Sequence, residues 1–377
     1  MTVALALPSA RDEAWRWSDL SALPAFADAE PRGGVVDVHD LWIGCGGPRL
    51  LFVDGRFEPA LSDIRPLAIG PVAAASAHPL GSLVTGDGWT LELAIDHAPV
   101  GTIEILHVGT GGSSHLPARI ALGEGAQASI VETYAGEGWA NRLTRIDLAP
   151  HARLMRAIRL VQHSGFVSTR DEAEIATGAS LVTTILGAGG ADSRIDAQLE
   201  SAGPGAFVEF GGALLARGQQ RHEAAVAVRH AAPGGSSRQL WRAVADDRAT
   251  VSLAARVEVA RDAQQTDGEQ SLRGLLLKRA ATVNLKPELE IFADDVKCAH
   301  GATVGELDRQ ALFYLESRGL LPAQARALLT RAFVADALDR IGEERAREVF
   351  ADAAAQWLDA SPLPTGEGGP RRETVGG

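Results

Sequence analysis

The sequence predicts a mainly β fold: a parallel β-helix core flanked by N-terminal and C-terminal helical portions. Three observations carry that expectation. From about residue 69 to 305, short runs rich in Val, Ile, Leu and Thr are separated by Gly, Pro and Asp turns with almost no helical period. Inside this region GEGAQASIV (123–131), APHARLMRA (149–157), ATGASLVTT (176–184) and GPGAFVEFG (203–211) each set a tight turn before an alanine that opens a strand. Those alanines, Ala126, Ala152, Ala179 and Ala206, are spaced 26, 27 and 27 apart. A fixed period in the twenties marks stacked supersecondary units, and units of strand and turn pile up as the coils of a β-helix. An antiparallel sandwich with evenly spaced strands is the competing arrangement. The third observation is that a helical period takes over at about Asp308.

Residues 1–68 read as an N-terminal helical and hairpin portion. Asp12 to Leu20 (DEAWRWSDL) suits one or two helical turns with Trp15 as an anchor, and core packing is the expected use of Trp15-Arg16-Trp17. Leu50 to Phe57 (LLFVDGRF) reads as a hairpin, because Asp54-Gly55 between apolar pairs signals a two-residue turn. The β-helix core is expected over 69–305. In it RATVSL (248–253), AATVNL (280–285) and GATVGEL (301–307) repeat the alanine device at less regular intervals, and Asp294-Asp295 reads as a turn between coils. A C-terminal helical domain is expected over 306–360. Asp308 is its N-cap and Gly319 a stop, and Pro322 suits the first turn of a second helix. Ala325, Leu328, Leu329, Ala332, Phe333 and Leu338 form the apolar stripe of that helix. A third helix runs roughly from Glu343 to Leu358. Such helices could cap the open end of a solenoid or dock a partner. The Pro/Gly-rich residues 361–377 are expected to be disordered.

Composition narrows the function. The chain has 377 residues and a net charge of −12 from 36 basic and 48 acidic side chains, which argues against nucleic acid or an anionic membrane surface as partner. The N-terminus lacks the basic region of a signal peptide. No apolar stretch approaches the roughly 18 residues that span a bilayer. A cytoplasmic location is the expectation. A phosphate-cradling loop needs Gly-Lys-Ser/Thr, but Lys278, Lys286 and Lys297 precede Arg279, Pro287 and Cys298, so no nucleotide site of that type is expected on this chain. Gly-rich GTGGSS (109–114) reads as a turn. Histidines such as His39, His78 and His97 read as surface or turn residues.

Two cysteines, Cys45 and Cys298, make no disulfide framework, and an iron–sulfur cluster needs about four protein ligands. One copy of the chain is therefore not expected to hold a complete cluster by itself. Cys298-Ala-His300 is the candidate for chemistry. Strand alternation puts Val296, Cys298 and His300 on one side, and a protonated imidazole there would favour the thiolate that binds metal. A packed cysteine beside a satisfied histidine is the structural alternative.

The wording of several blocks, in order, resembles a known family. RHAAPGGSSRQLWRAVADDRA (229–249), AQQTDGEQSLRGLLL (263–277) and KPELEIFADDVKCAHGATVGELDRQALFYLESRGL (286–320) are similar to signatures of the SufB/SufD family of the SUF iron–sulfur cluster assembly system. The ADDVKCAHGA block resembles the SufD branch. EAWRWSDL and LLFVDGRFEPALSDI look like the family's N-terminal phrases, although this N-terminal portion is shorter than usual. The resemblance implies a right-handed parallel β-helix between helical portions. It implies a non-catalytic subunit that pairs with SufB through the β-helix and docks the SufC ATPase through its C-terminal helices, with a homodimer possible for the isolated chain. It also implies that Cys298 and His300 are candidate ligands for iron or a nascent, transient cluster shared with SufB. Cys45 matches no family motif. The rival readings are a SufB-like scaffold that builds a cluster by itself and a β-helix enzyme acting on polysaccharide.

Overall fold

A computed structural model describes residues 5–34, 36–73, 75–94 and 101–359; the C-terminal segment 361–377, expected to be disordered, and His97 lie outside the described residues. The chain opens with a short 3-10 turn, Glu13–Trp15, and the helix α1, Leu23–Asp28. Trp15 is buried, with the Arg194 guanidinium 3.6 Å from its ring centroid. Trp15 thus anchors the N-terminal segment to the core, whereas Arg16 is exposed and Trp17 only partly buried. The strands β1 (Gly46–Val53) and β2 (Arg56–Phe57) form the expected hairpin. Its turn residues, Asp54 and Gly55, have φ of 49° and 78°, as the two-residue turn that matches strand twist requires. The strands β3 (Ala68–Pro71) and β4 (Asp87–Leu93) pair antiparallel. Both β1 and β4 then add in parallel to β5 (Thr102–Leu122).

From there the chain winds as a parallel β-helix with two sheets. The 22-residue strand β6 (Gln127–Leu148) crosses from one sheet to the other, pairing first with β7 (Arg153–Leu160) and then with β8 (Phe166–Ile175). Next come β9 (Ser180–Gly187), β10 (Asp192–Ser201), β11 (Phe207–Ala216), β12 (Arg221–His230) and β13 (Ser236–Ala245). The last coils hold β14 (Thr250–Val259), β15 (Asp267–Leu276), β16 (Thr282–Ile291) and β17 (Lys297–Gly305). From β6 onward each strand pairs in parallel with the strand two places on, so odd strands form one sheet and even strands the other. GTGGSS is a bulged corner inside β5, where the register slips between Thr110 and Ser113. A Cβ on Gly136, at the matching corner of β6, would lie 2.0 Å from the Gly109 carbonyl oxygen; only glycine fits.

The alanine repeat marks the opposite corner. Gly125, His151, Gly178 and Gly205, the residues before the four alanines, all have φ between 62° and 69°. Their N–H groups donate along the solenoid axis to the carbonyls of Pro150, Thr177, Pro204 and Pro233, at 2.9 to 3.1 Å. This left-handed residue turns the chain inward, and the following alanine is buried where a larger side chain would collide: Ala152, Ala179 and Ala206 are 0% exposed. Ala249 and Ala281 open β14 and β16 of the other sheet, each one residue before the paired Thr250 and Thr282 and without a left-handed residue directly ahead of it. Ala302 does not repeat the device, because it lies within β17 opposite Leu272. Asp295 is at a corner, its carbonyl accepting from the Gln265 N–H.

Alternate residues fill the lumen with aliphatic side chains, but a charged group is enclosed with them. Buried Arg156 bridges Glu132 at 2.6 Å and Asp171 at 2.5 Å, and Tyr134 donates its hydroxyl to Glu132 at 3.0 Å. Burial alone would raise the Glu132 carboxyl, yet Arg156 and His107 hold it down at about 2. His39 is exposed as expected, but His107, His222 and His230 are buried, and His78 sits 3.2 Å from Asp196 with little exposure. The short period-2 runs around these histidines gave no sign of which face they occupy. That depends on which face closes over the lumen.

The helices α2 (Arg309–Ser317), α3 (Pro322–Leu338) and α4 (Glu344–Asp359) follow. Asp308 caps α2 by accepting from the Gln310 and Ala311 N–H groups, and Gly319 ends the turn with φ of 95°. The pair α3–α4 does not cap the solenoid's end. It lies along the odd-strand sheet, where Val334, Leu338, Ile341, Phe350 and Trp357 pack on Leu186, Leu215, Val244 and Leu275. Arg242 pairs with Asp336, and Arg217 covers the Trp357 ring. The predicted stripe of α3 is rotated: Ala325, Thr330, Val334, Ala337 and Leu338 are buried, while Leu328 and Ala332 are exposed. Small residues at 325 and 337 let the helix approach the sheet, and the larger leucine is left outward.

Two consequences can be measured. Ala179→Leu overfills a corner with no free space and should lower unfolding free energy by about 1–3 kcal/mol; an unchanged denaturation midpoint would show that the corner can relax. The pH dependence follows from the histidines. Burial lowers His107, His222 and His230 to about 4, whereas an unfolded histidine titrates near 6.5. Between those values the unfolded chain binds more protons than the folded one, so stability falls as pH drops from about 6.5 to about 4. Urea midpoints at pH 7.5 and 5.0 should differ clearly, and equal midpoints would contradict the assignment of neutral buried imidazoles.

Candidate functional site

The two ends of the β-helix are built differently. At the N-terminal end β1 and β4 add to β5, β3 pairs with β4, and together they cover the first coil. At the other end, among the described residues, β16 pairs only with β14 and β17 only with β15. The outer edges of β16 and β17 are thus free to accept another strand. Large apolar side chains stand exposed there: Ile291 is 40%, Phe292 58% and Val304 45% exposed.

Cys298 and His300 lie on β17, on this open coil. Parallel register sets Gly268 against Cys298, Gln270 against His300 and Leu272 against Ala302. Gly268, Gln270 and Leu272 are the buried, lumen-facing positions of β15, and paired positions of adjacent strands share a face. Cys298 and His300 therefore face the lumen side of a coil that no further strand covers among the described residues. Cys298 is half-buried against the core, whereas His300 is exposed and its ring makes no hydrogen bond or ion pair among the described residues. Alternation in the sequence thus placed the two on one face correctly.

The electrostatics differ from expectation. Burial raises the Cys298 thiol, with Asp267 adding to the effect and the Gly268 backbone opposing it. The thiol is therefore held protonated in the isolated chain, rather than driven toward thiolate by His300. Among the described residues no group of three or more His, Cys, Asp or Glu side chains could hold a metal ion. Cys298 and His300 supply two potential ligands at most.

Cys45 belongs elsewhere. Buried Glu104 accepts the backbone N–H groups of Ile43 at 2.8 Å and Cys45 at 2.6 Å, pinning this loop to β5. The Cys45 thiol donates to Glu343 at 3.4 Å, at the start of α4. Burial, the Glu104 charge and the Glu343 contact push it far above the ordinary thiol range. It joins the N-terminal loop to the C-terminal helices and packs in a different cluster from Cys298. Sequence reasoning also passed over Gln270, the residue under His300: nothing in an isolated glutamine signals burial, and only the register places it there.

A two-sheet β-helix with one covered end, one open end and a helical pair on its flank defines a β-solenoid protein. The family model "SUF system FeS cluster assembly, SufBD core domain" matches residues 107–333. The iron–sulfur cluster assembly protein SufD of Escherichia coli is 26% identical, covering 90% of this chain and 86% of the relative. SufBD family proteins of Synechocystis and of Mycobacterium tuberculosis are each 28% identical, covering 90% and 94% of this chain and 84% and 90% of those relatives. The chain belongs to the SufB/SufD family of the SUF iron–sulfur cluster assembly system. Within that family its likeness is to subunits of the SufD type. No helix among the described residues is long and apolar enough to cross a membrane.

The thiol environments set an order of reactivity. Thiolate is the alkylating species, and both thiols are raised, Cys45 the more strongly. At pH 8 the native chain should be labelled by iodoacetamide at Cys298 more slowly than a free thiol, and at Cys45 hardly at all. Peptide mass spectrometry would show it, and faster labelling at Cys45 would refute the packing assigned to it.

Proposed function

We propose that this chain is a non-catalytic subunit of the SUF system that pairs with SufB through its open terminal coil and docks SufC through its C-terminal helices. Iron enters, and a nascent cluster forms as transient cargo, at the SufB-facing end, where His300 and Cys298 contribute ligands and SufB supplies the rest. The observation that carries this reading is the open coil itself: a thiol and an imidazole share its lumen face beside two free strand edges. An incomplete ligand set at an uncovered edge suits a site completed by a second chain. The same edges would serve a homodimer of the isolated chain. Residues 1–68, 69–305 and 306–360 are taken as N-terminal, β-helix and helical domains of a cytoplasmic protein.

The helices support the SufC assignment. One face of α3 is fixed to the solenoid, and the other leaves Leu328 46% exposed beside Leu321 at 64%, with Phe313 and Tyr314 of α2 at 74% and 56%. A helical pair with one bound and one free apolar face suits partner docking. No nucleotide site is assigned to this chain, so the ATPase is the partner that would supply one.

Two measurements test the reading. His300→Ala should leave assembly with SufB and SufC intact and lower iron and sulfide in the purified complex several-fold; normal iron with normal cluster transfer defeats the ligand assignment. Leu328→Asp, on the outward face of α3, should weaken SufC capture without altering SufB pairing, while Ile291→Asp and Val304→Asp should do the reverse. If both sets act on the same partner, the division of surfaces is wrong.

A further inference from the structure

We propose that Gln270 is a positioning residue for His300: its side-chain carbonyl accepts one imidazole N–H and so leaves the other ring nitrogen as the iron ligand. The inference deepens, and rests on, the reading of His300 as a ligand. Gln270 is 1% exposed on the lumen face of β15, in direct register with His300. Its amide is oriented from one side, because Nε2 donates to the Glu288 carbonyl at 3.3 Å. Its Oε1 is buried and has no hydrogen-bond partner. A buried carbonyl left unpaired bears the full cost of its lost hydration, so a donor able to reach it is favoured there.

His300 is that donor. Paired side chains on adjacent parallel strands share one face at a strand spacing of about 4.8 Å, within reach of an imidazole that turns inward. The ring is exposed and engaged with nothing else among the described residues, so the turn breaks no contact. Neutral imidazole offers one donor and one acceptor. Fixing the donor on a carbonyl decides which nitrogen keeps its lone pair, as the outer partners of metal-bound histidines do. One coil deeper, Gln239 stands in the same register, donates to the Arg256 carbonyl at 2.9 Å and likewise has an unpartnered Oε1. It lies a coil too far from His300 to touch it, and serves as the internal control.

The test uses the full chain labelled with 15N-histidine, with the His300 signals assigned by their loss in His300→Ala. Long-range nitrogen–proton correlation should show a single dominant His300 tautomer with a slowly exchanging ring N–H. Gln270→Met, which keeps volume but removes the acceptor, should abolish that protected N–H. Gln270→Glu should restore it, and Gln239→Met should leave it unchanged. In the co-purified complex Gln270→Met should weaken iron retention about tenfold. Unchanged His300 signals in Gln270→Met, or an equal loss in Gln239→Met, would overturn the inference. Iron content of His300→Ala complexes reports separately on the ligand reading. Normal iron there, with His300 signals that respond to Gln270, removes the ligand role and keeps the contact. Low iron there, with signals indifferent to Gln270, does the opposite.

Discussion

The structure depends on the axial stacking of one coil on the next. At one corner of successive coils a residue in the left-handed region, Gly125, His151, Gly178, Gly205, Gly234 or Gln265, aims its N–H along the solenoid axis at a carbonyl of the following coil. That bond fixes the height and phase of the coil, and the small residue beside it lets the backbone turn inward. With phase fixed, strands pair in register through both sheets and each inward side chain stacks on its counterpart. A one-residue slip would turn every lumen side chain outward, so the corners preserve the whole interior. Among the described residues no further coil follows β16 and β17, so their outer edges are left without a strand partner.

The interior is graded along its length. Near the N-terminal end the lumen encloses Arg156, Glu132, Asp171 and Tyr134, a group that must remain fully bonded because an unpaired buried charge is costly. Near the open end the lumen polar groups include two neutral amides, Gln239 and Gln270, each with one hydrogen bond made and one acceptor left over. The first region is closed, and its buried charges are paired. The second runs toward the surface coil that carries His300 and Cys298.

The helical pair on the flank explains why the two ends can be specialised. By packing α3 and α4 against the odd-strand sheet, the chain covers the outer face of the solenoid and leaves its end coil free. Glu343 joins this arrangement to the N-terminal loop through Cys45, and Arg194 joins the N-terminal segment to the core beneath Trp15. The N-terminal segment around Trp15 and the C-terminal helices are thus both tied to the side of the solenoid.

Period and turn chemistry are local properties, and they were legible. Ala126, Ala152, Ala179 and Ala206 announced the coil length because a crowded corner admits only small side chains. Asp54-Gly55 announced its hairpin because positive φ needs such residues, and Asp308 its cap because a short carboxylate reaches orphan N–H groups. Alternation was enough to put Cys298 and His300 on one face. Tertiary structure alone decided whether that face was lumen or solvent, because alternation is blind to which side closes. It alone buried His107, His222 and His230, turned Leu328 outward by letting smaller residues meet the sheet, and raised the Cys298 thiol through burial. It also brought Gln270 beneath His300 across 30 residues of sequence, a neighbour set by the length of one coil and by nothing in the local sequence around either residue.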